Sequence, residues 1–164
     1  MAGKKSDIGP IGENVTKTVR RFREKRQLSY AELTRRLAAM GREIPPLGLR
    51  RIESGERKVD VDDLVALALA FNVSPLALLL PTDDGPVVPQ GVSHRAEDVW
   101  NWARGGFPLT PEASLSPATV FDYMQSAHPF TDFSEFVEKL KSAKSIEDIF
   151  GALNQAEAQS GDDQ

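Results

Sequence analysis

The sequence predicts an all-α chain: five short helices forming one domain, then a small helical C-terminal region. Three observations carry this. Apolar residues recur at helical spacing in segment after segment. Helix-start signatures stand directly before several of those segments. No stretch shows a convincing alternation of apolar and polar residues over strand length. Composition agrees, since 164 residues with 40% hydrophobic and 27% charged are ordinary globular values.

The elements follow in order. Residues 1–12 hold three glycines and a proline and read as a flexible arm. From about Glu13 to Arg26, Val15, Val19 and Phe22 share one helical face, with Arg20, Arg21, Arg23 and Lys25 around the rest. Ser29-Tyr-Ala-Glu32 is a capping box: the serine accepts from the backbone three residues on, and the glutamate reaches back. It opens a second helix to about Met40, buried through Leu33 and Leu37, with Gly41 as its stop. Pro45-Pro46 cannot sit inside a helix, but the second proline can begin one. A short third helix therefore covers Leu47 to Glu53 and ends at Ser54-Gly55. Asp60 caps a fourth, Val61 to Phe71, apolar on nearly every side and so expected at the bundle centre. Ser74 caps a fifth, Pro75 to Leu80.

Residues 82–92 have linker composition. Beyond them, 93–158 form an acidic helical region. A helix from His94 to Arg104 carries Val99, Trp100 and Trp102. Ser116-Pro117 opens another, with Val120, Phe121 and Met124. Thr131 or Asp132 opens a third, with Phe133, Phe136, Val137 and Leu140 on one face. Ser145 caps a last helix with Ile146, Ile149, Phe150 and Leu153. Residues 159–164 are a polar tail that reads as disordered.

Net charge is −4, but it is unevenly spread. Residues 1–60 carry 15 Lys+Arg against 8 Asp+Glu, a net of +7; residues 61–164 carry 5 against 16, a net of −11. A folded basic segment is a candidate phosphate-binding surface, and the acidic remainder suggests a second task. The chain has no cysteine and two histidines, His94 and His128. That excludes disulfides and thiolate metal sites and leaves no multi-histidine centre. No Gly-rich phosphate loop, Gly-x-Ser-x-Gly elbow or His-Glu-x-x-His is present. The expectation is therefore no enzyme, no metal and no cofactor. Lys4 and Lys5 precede no apolar core of a secretory signal. Leu64 to Leu80 is interrupted by Asn72, Ser74 and Pro75 and falls short of the ~20 residues that span a bilayer. The expectation is a cytoplasmic protein, associated with the nucleoid and not with a membrane.

The runs Leu28-Ser-Tyr-Ala-Glu-Leu33, Leu49-Arg-Arg-Ile-Glu-Ser-Gly-Glu-Arg57 and Val61-Asp-Asp-Leu-Val-Ala-Leu-Ala68 resemble the helix-turn-helix domain of Xre/lambda-repressor-like (Cro-type) transcriptional regulators. Asn72-Val-Ser-Pro-Leu76 is similar to the family's approach to its fifth helix. The resemblance covers about residues 13–81. Gly41-Arg-Glu-Ile-Pro45 and Arg57-Lys-Val-Asp-Val-Asp-Asp-Leu-Val65 further resemble the actinobacterial branch of that family.

The resemblance implies roles. Arg23 and Glu53 would form a structural ion pair, which also answers the cost of burying a carboxylate. Ser29 and Tyr30 stand at the start of the second helix, whose N-terminus would face a DNA phosphate, as free N–H groups and the helix dipole favour. Arg57 and Lys58 would contact the DNA backbone, giving affinity without sequence choice. The third helix departs from the pattern: Pro45, Pro46, Leu47 and Gly48 replace the usual polar base-reading residues, and the connection before it is about five residues longer. Arg50 and, from that connection, Arg42 are the candidates for base reading, because arginine grips guanine with two donors. Leu47 is placed to touch a thymine methyl. Alternatively, Arg50 and Arg51 contact phosphates only.

Trp100 and Trp102 lie two apart and cannot share a helical face; both fit a local core, or one faces a partner. The apolar stripes of the C-terminal region fit a helical pair that needs a homodimer interface, or the first domain, to cover it. The reading is a sequence-specific regulator of double-stranded DNA, acting as a repressor by operator occupancy on paired half-sites. The alternative is an antitoxin-like or regulatory adaptor whose acidic C-terminal half binds a protein, with weak DNA binding.

Overall fold

The computed structural model describes residues 8–82, 95–109, 116–134 and 138. All regular structure among them is helical: α1 (Pro10–Lys25), α2 (Tyr30–Ala39), α3 (Pro46–Glu53), α4 (Val61–Phe71), α5 (Pro75–Leu79), α6 (Ala96–Ala103) and α7 (Pro117–Ala127). The chain divides into two compact units, 1–99 and 100–164.

In the first unit, local chemistry sets the boundaries. Pro10 begins α1 three residues before the expected start, because proline at the first helical position has the right φ and no N–H to satisfy. Ser29, Asp60 and Ser74 each accept a backbone N–H as N-caps, from Glu32, Asp63 and Leu76. Gly41 takes φ +77° after α2. Its N–H donates to Ala38 O and that of Arg42 to Leu37 O, both at 3.0 Å. This is a Schellman stop that β-carbon-bearing residues adopt only with strain.

The core is one cluster. Val15 and Val19 of α1, Leu33 and Leu37 of α2, Leu49 and Ile52 of α3, Leu67 and Phe71 of α4 and Leu78 of α5 are buried together. Phe22 stacks on Phe71 with ring centroids 6.0 Å apart. Asn14 Nδ2 donates to Leu79 O at 2.9 Å and ties α1 to the end of α5. Among the described residues no buried side-chain N or O lacks a partner.

The expectation for α4 holds in part. The helix packs against α1, α2 and α5 and buries Ala66, Leu67, Ala68, Ala70 and Phe71, but Val61, Val65 and Leu69 are exposed. It meets neighbours on part of its circumference only. An all-apolar sequence does not say which part.

In the second unit, Ser116 caps α7 by accepting from Thr119 N–H. Val120 and Met124 are buried. The Tyr123 hydroxyl donates to Trp102 O, and the His128 ring stands 3.1 Å from Gly105 O. Asp132 accepts from Ser134 N–H at 2.9 Å, as a cap at the expected third helix start does. Trp102 is exposed. The expected linker beyond residue 82, the stripe from Phe136 to Leu140, the last helix and the tail lie outside the described residues. No described helix is long and apolar enough to cross a membrane.

Candidate nucleic-acid interface

The α3 helix is amphipathic over only eight residues. Gly48, Leu49 and Ile52 face inward. Pro46, Leu47, Arg50 and Arg51 face outward, with Leu47 57% exposed. Glycine at 48 has a packing reason. A β-carbon there would lie 2.9 Å from Arg57 Nη1 and 3.1 Å from Ile44 Cγ2. The absence of a side chain lets Arg57 and the long connection close over the helix start.

The end of α3 is fixed by a buried carboxylate. Arg23 Nε donates to Glu53 Oε1 at 2.6 Å and Arg23 Nη2 to Oε2 at 3.0 Å. The Tyr30 hydroxyl donates to the same Oε2 at 2.8 Å. The Glu53 side chain is 5% exposed. The hydrogen bond to Glu53 holds the Arg23 guanidinium protonated beyond its usual range. Burial, then the bond to Glu53, raises the Tyr30 phenol. The Arg23 guanidinium lies 4.3 Å over the Tyr30 ring, and Arg50 approaches that ring at 5.2 Å. Tyr30 thus links the start of α2 to the outer face of α3. Its hydroxyl is spent on Glu53, so what it offers a ligand is its position and not a free donor. Glu53→Gln is expected to cost about 2–3 kcal/mol, since hydrogen bonds to charged groups carry about that much. Urea denaturation measures it, and a loss under about 0.5 kcal/mol, ordinary for surface positions, would contradict this role.

A second cluster holds the long connection between α2 and α3. Arg42 Nε donates to Asp63 Oδ1 at 2.6 Å, and Arg42 Nη2 donates to Asp60 Oδ2 at 2.7 Å. Arg57 Nη2 donates to Asp63 Oδ2 at 2.7 Å. Asp63 is fully buried, with both oxygens taken by arginine. Its backbone N–H donates to Asp60 Oδ1, which holds the Asp60 carboxyl below the ordinary range. The bond to Asp63 raises Arg42. Ile44 is buried, and its carbonyl accepts from the Thr34 hydroxyl at 2.9 Å. The connection is therefore clamped to α4 and packed on α2.

This changes two expected roles. Arg42 is not a free base reader: two carboxylates hold its guanidinium. Arg57 spends one donor edge on Asp63, and its side chain is 34% exposed. Both follow from burying a carboxylate at the start of α4, which demands cationic partners. Asp63 itself escaped sequence reading, where Asp62-Asp63 looks like ordinary acidic residues of a first helical turn. The usable hint was a long connection carrying an arginine, which needs an anchor. Arg51 and Lys58 are exposed, and Ser29 is exposed beside its cap.

The structure thus brings Ser29, Tyr30, Arg50, Leu47 and Arg51 onto the adjoining start of α2 and outer face of α3. It gathers Arg42 and Arg57 around Asp63 instead. No curated protein and no solved structure matches the chain. The helix-turn-helix family model matches residues 19–78. This stretch runs from the middle of α1 into α5, and α2 and α3 are the pair whose outer surface carries the arginines. Residues 19–78 are thus similar to a helix-turn-helix domain of the Xre/lambda-repressor-like kind, a domain type of DNA-binding regulators.

Proposed function

We infer that the chain is a sequence-specific transcriptional regulator that represses by occupying an operator. The observation that carries this is the outer face of α3, which presents Leu47, Arg50 and Arg51 while Gly48, Leu49 and Ile52 lock the helix in place. A helix held by its inner face and cationic on its outer face suits the major groove. Arg50 is the base reader, gripping guanine, and Leu47 meets a thymine methyl. Arg51 and Lys58 contact phosphates, and the start of α2 at Ser29 and Tyr30 receives another. Arg57 keeps exposed surface for a phosphate, while Arg42 positions the helix. Two copies bind paired half-sites on nucleoid DNA in the cytoplasm. The Gly41-to-Pro45 connection keeps its similarity to the actinobacterial branch.

Selection from a genomic fragment pool at two salt concentrations tests the reading. Enrichment of one motif, as an inverted repeat, is the expected result. Uniform, salt-sensitive retention would remove base reading by Arg50. No retention at low salt would overturn the reading and favour the adaptor, whose acidic half binds a protein.

A further inference from the structure

A cavity of about 300 Å³ opens beside the start of α1. Ile11 and Val15 of α1, Val59 ahead of α4, Leu64 of α4 and Leu79 of α5 form its apolar lining. Val15 is buried, and the other four are only partly buried against the core. Four apolar side chains that the core leaves partly uncovered thus meet at one concave place. Small-molecule sites are of this kind, from about 300 Å³ upward, with an apolar lining and a few polar groups. The polar groups here are mainly cationic or donors. Lys58 and Arg57 both line the cavity. Arg57 spends Nη2 on Asp63. The lining carboxylate, Asp60, is held by Arg42 at 2.7 Å and by its cap bond to Asp63 N–H. Lys58 is exposed and makes no ion pair among the described residues. Gly9 precedes α1 without a side-chain cap, and Gly9, Ile11 and Gly12 line the same cavity. The first-turn N–H groups of α1 therefore add positive potential there.

We propose that this cavity binds a small carboxylic acid with an apolar tail. The tail lies on Ile11, Val59, Leu64 and Leu79, and the carboxylate meets Lys58. Burial of the tail is favourable in proportion to the apolar area taken from water. The charge selects the head group. An ammonium would meet Lys58, Arg57 and the positive end of α1, a neutral alcohol gains from its tail alone, and inorganic phosphate has no tail. A carboxylate at Lys58 takes the cation that the DNA reading gives to a phosphate, so the ligand should weaken DNA retention. That consequence rests on the DNA reading; the site itself does not.

Octanoate is the probe, titrated without DNA into the labelled full chain. Saturable amide shifts are expected at Ile11, Gly12, Thr16, Val59, Leu64 and Leu79. Octylamine should bind at least about fivefold more weakly. Lys58→Met keeps an unbranched apolar side chain and removes the charge. It should weaken octanoate about three- to fivefold, as loss of an exposed ion pair does, and leave octanol unchanged. Thr16→Phe, which fills the cavity from α1, should abolish octanoate binding, and circular dichroism checks that it folds. The site is overturned if octanoate gives no saturable shifts, or shifts only at Val65, Leu69 or beyond residue 95. Equal binding of octylamine, or of octanoate by Lys58→Met, would overturn it too. So would full binding by Thr16→Phe. With the site established, unchanged DNA retention at saturating octanoate would overturn the competition at Lys58 alone.

Discussion

Asp63→Ala is expected to destabilise the first unit by about 3 kcal/mol, the lower end of what losing one partner of a buried charge pair costs. The lower end applies because the two arginines left behind, Arg42 and Arg57, are each about a third exposed and water recovers part of the loss. Asp63 fixes three pieces at once: the connection through Arg42, the turn after α3 through Arg57, and the first turn of α4 through its own N–H on Asp60. Urea denaturation followed by circular dichroism gives the number. Glu43→Ala, exposed on the same connection, should stay within about 0.5 kcal/mol of the parent. Equal losses at both positions would contradict the clamp.

Arg50→Ala is expected to weaken binding to the selected motif by about 10- to 100-fold, within the 1–3 kcal/mol that one bidentate base contact contributes. Preference for guanine at one position should fall with it. Arg50→Lys should not restore the preference, since an ammonium lacks the planar pair of donors. Lys58→Ala should weaken all sequences alike and lower the salt slope by about one. Competition titrations against motif variants at several salt concentrations separate the two patterns. If Arg50→Ala weakens every sequence equally, Arg50 is a phosphate contact and base reading lies elsewhere.

Much of the helical domain was legible in the sequence because its signals are local. Ser29, Asp60 and Ser74 cap the helices they precede, and each cap acts within three residues. Gly41 and Pro46 stop and start helices by their own backbone preferences. The α1 helix begins at Pro10, since proline suits a first helical turn as well as a loop. The pairing of Arg23 with Glu53, thirty residues apart, came from family resemblance, and the structure adds Tyr30 as the third member. What stayed hidden is non-local. Whether Arg42 faces DNA or a carboxylate depends on where α4 lies, and nothing near Arg42 says so. Likewise Val61, Val65 and Leu69 cannot be told from Leu67 or Phe71 by hydropathy, since α4 is apolar throughout. Tertiary position alone decides which residues of such a helix face water.

On this reading the start of α2 and the outer face of α3 hold DNA. Backbone amide shifts of the labelled full chain, titrated with the selected duplex, test it most directly. The largest changes are expected at Ser29, Tyr30, Leu47, Arg50, Arg51 and Lys58, with α4 positions Val65 and Leu69 little changed. Changes confined to α4 or to residues beyond 95, with α3 silent, would contradict it.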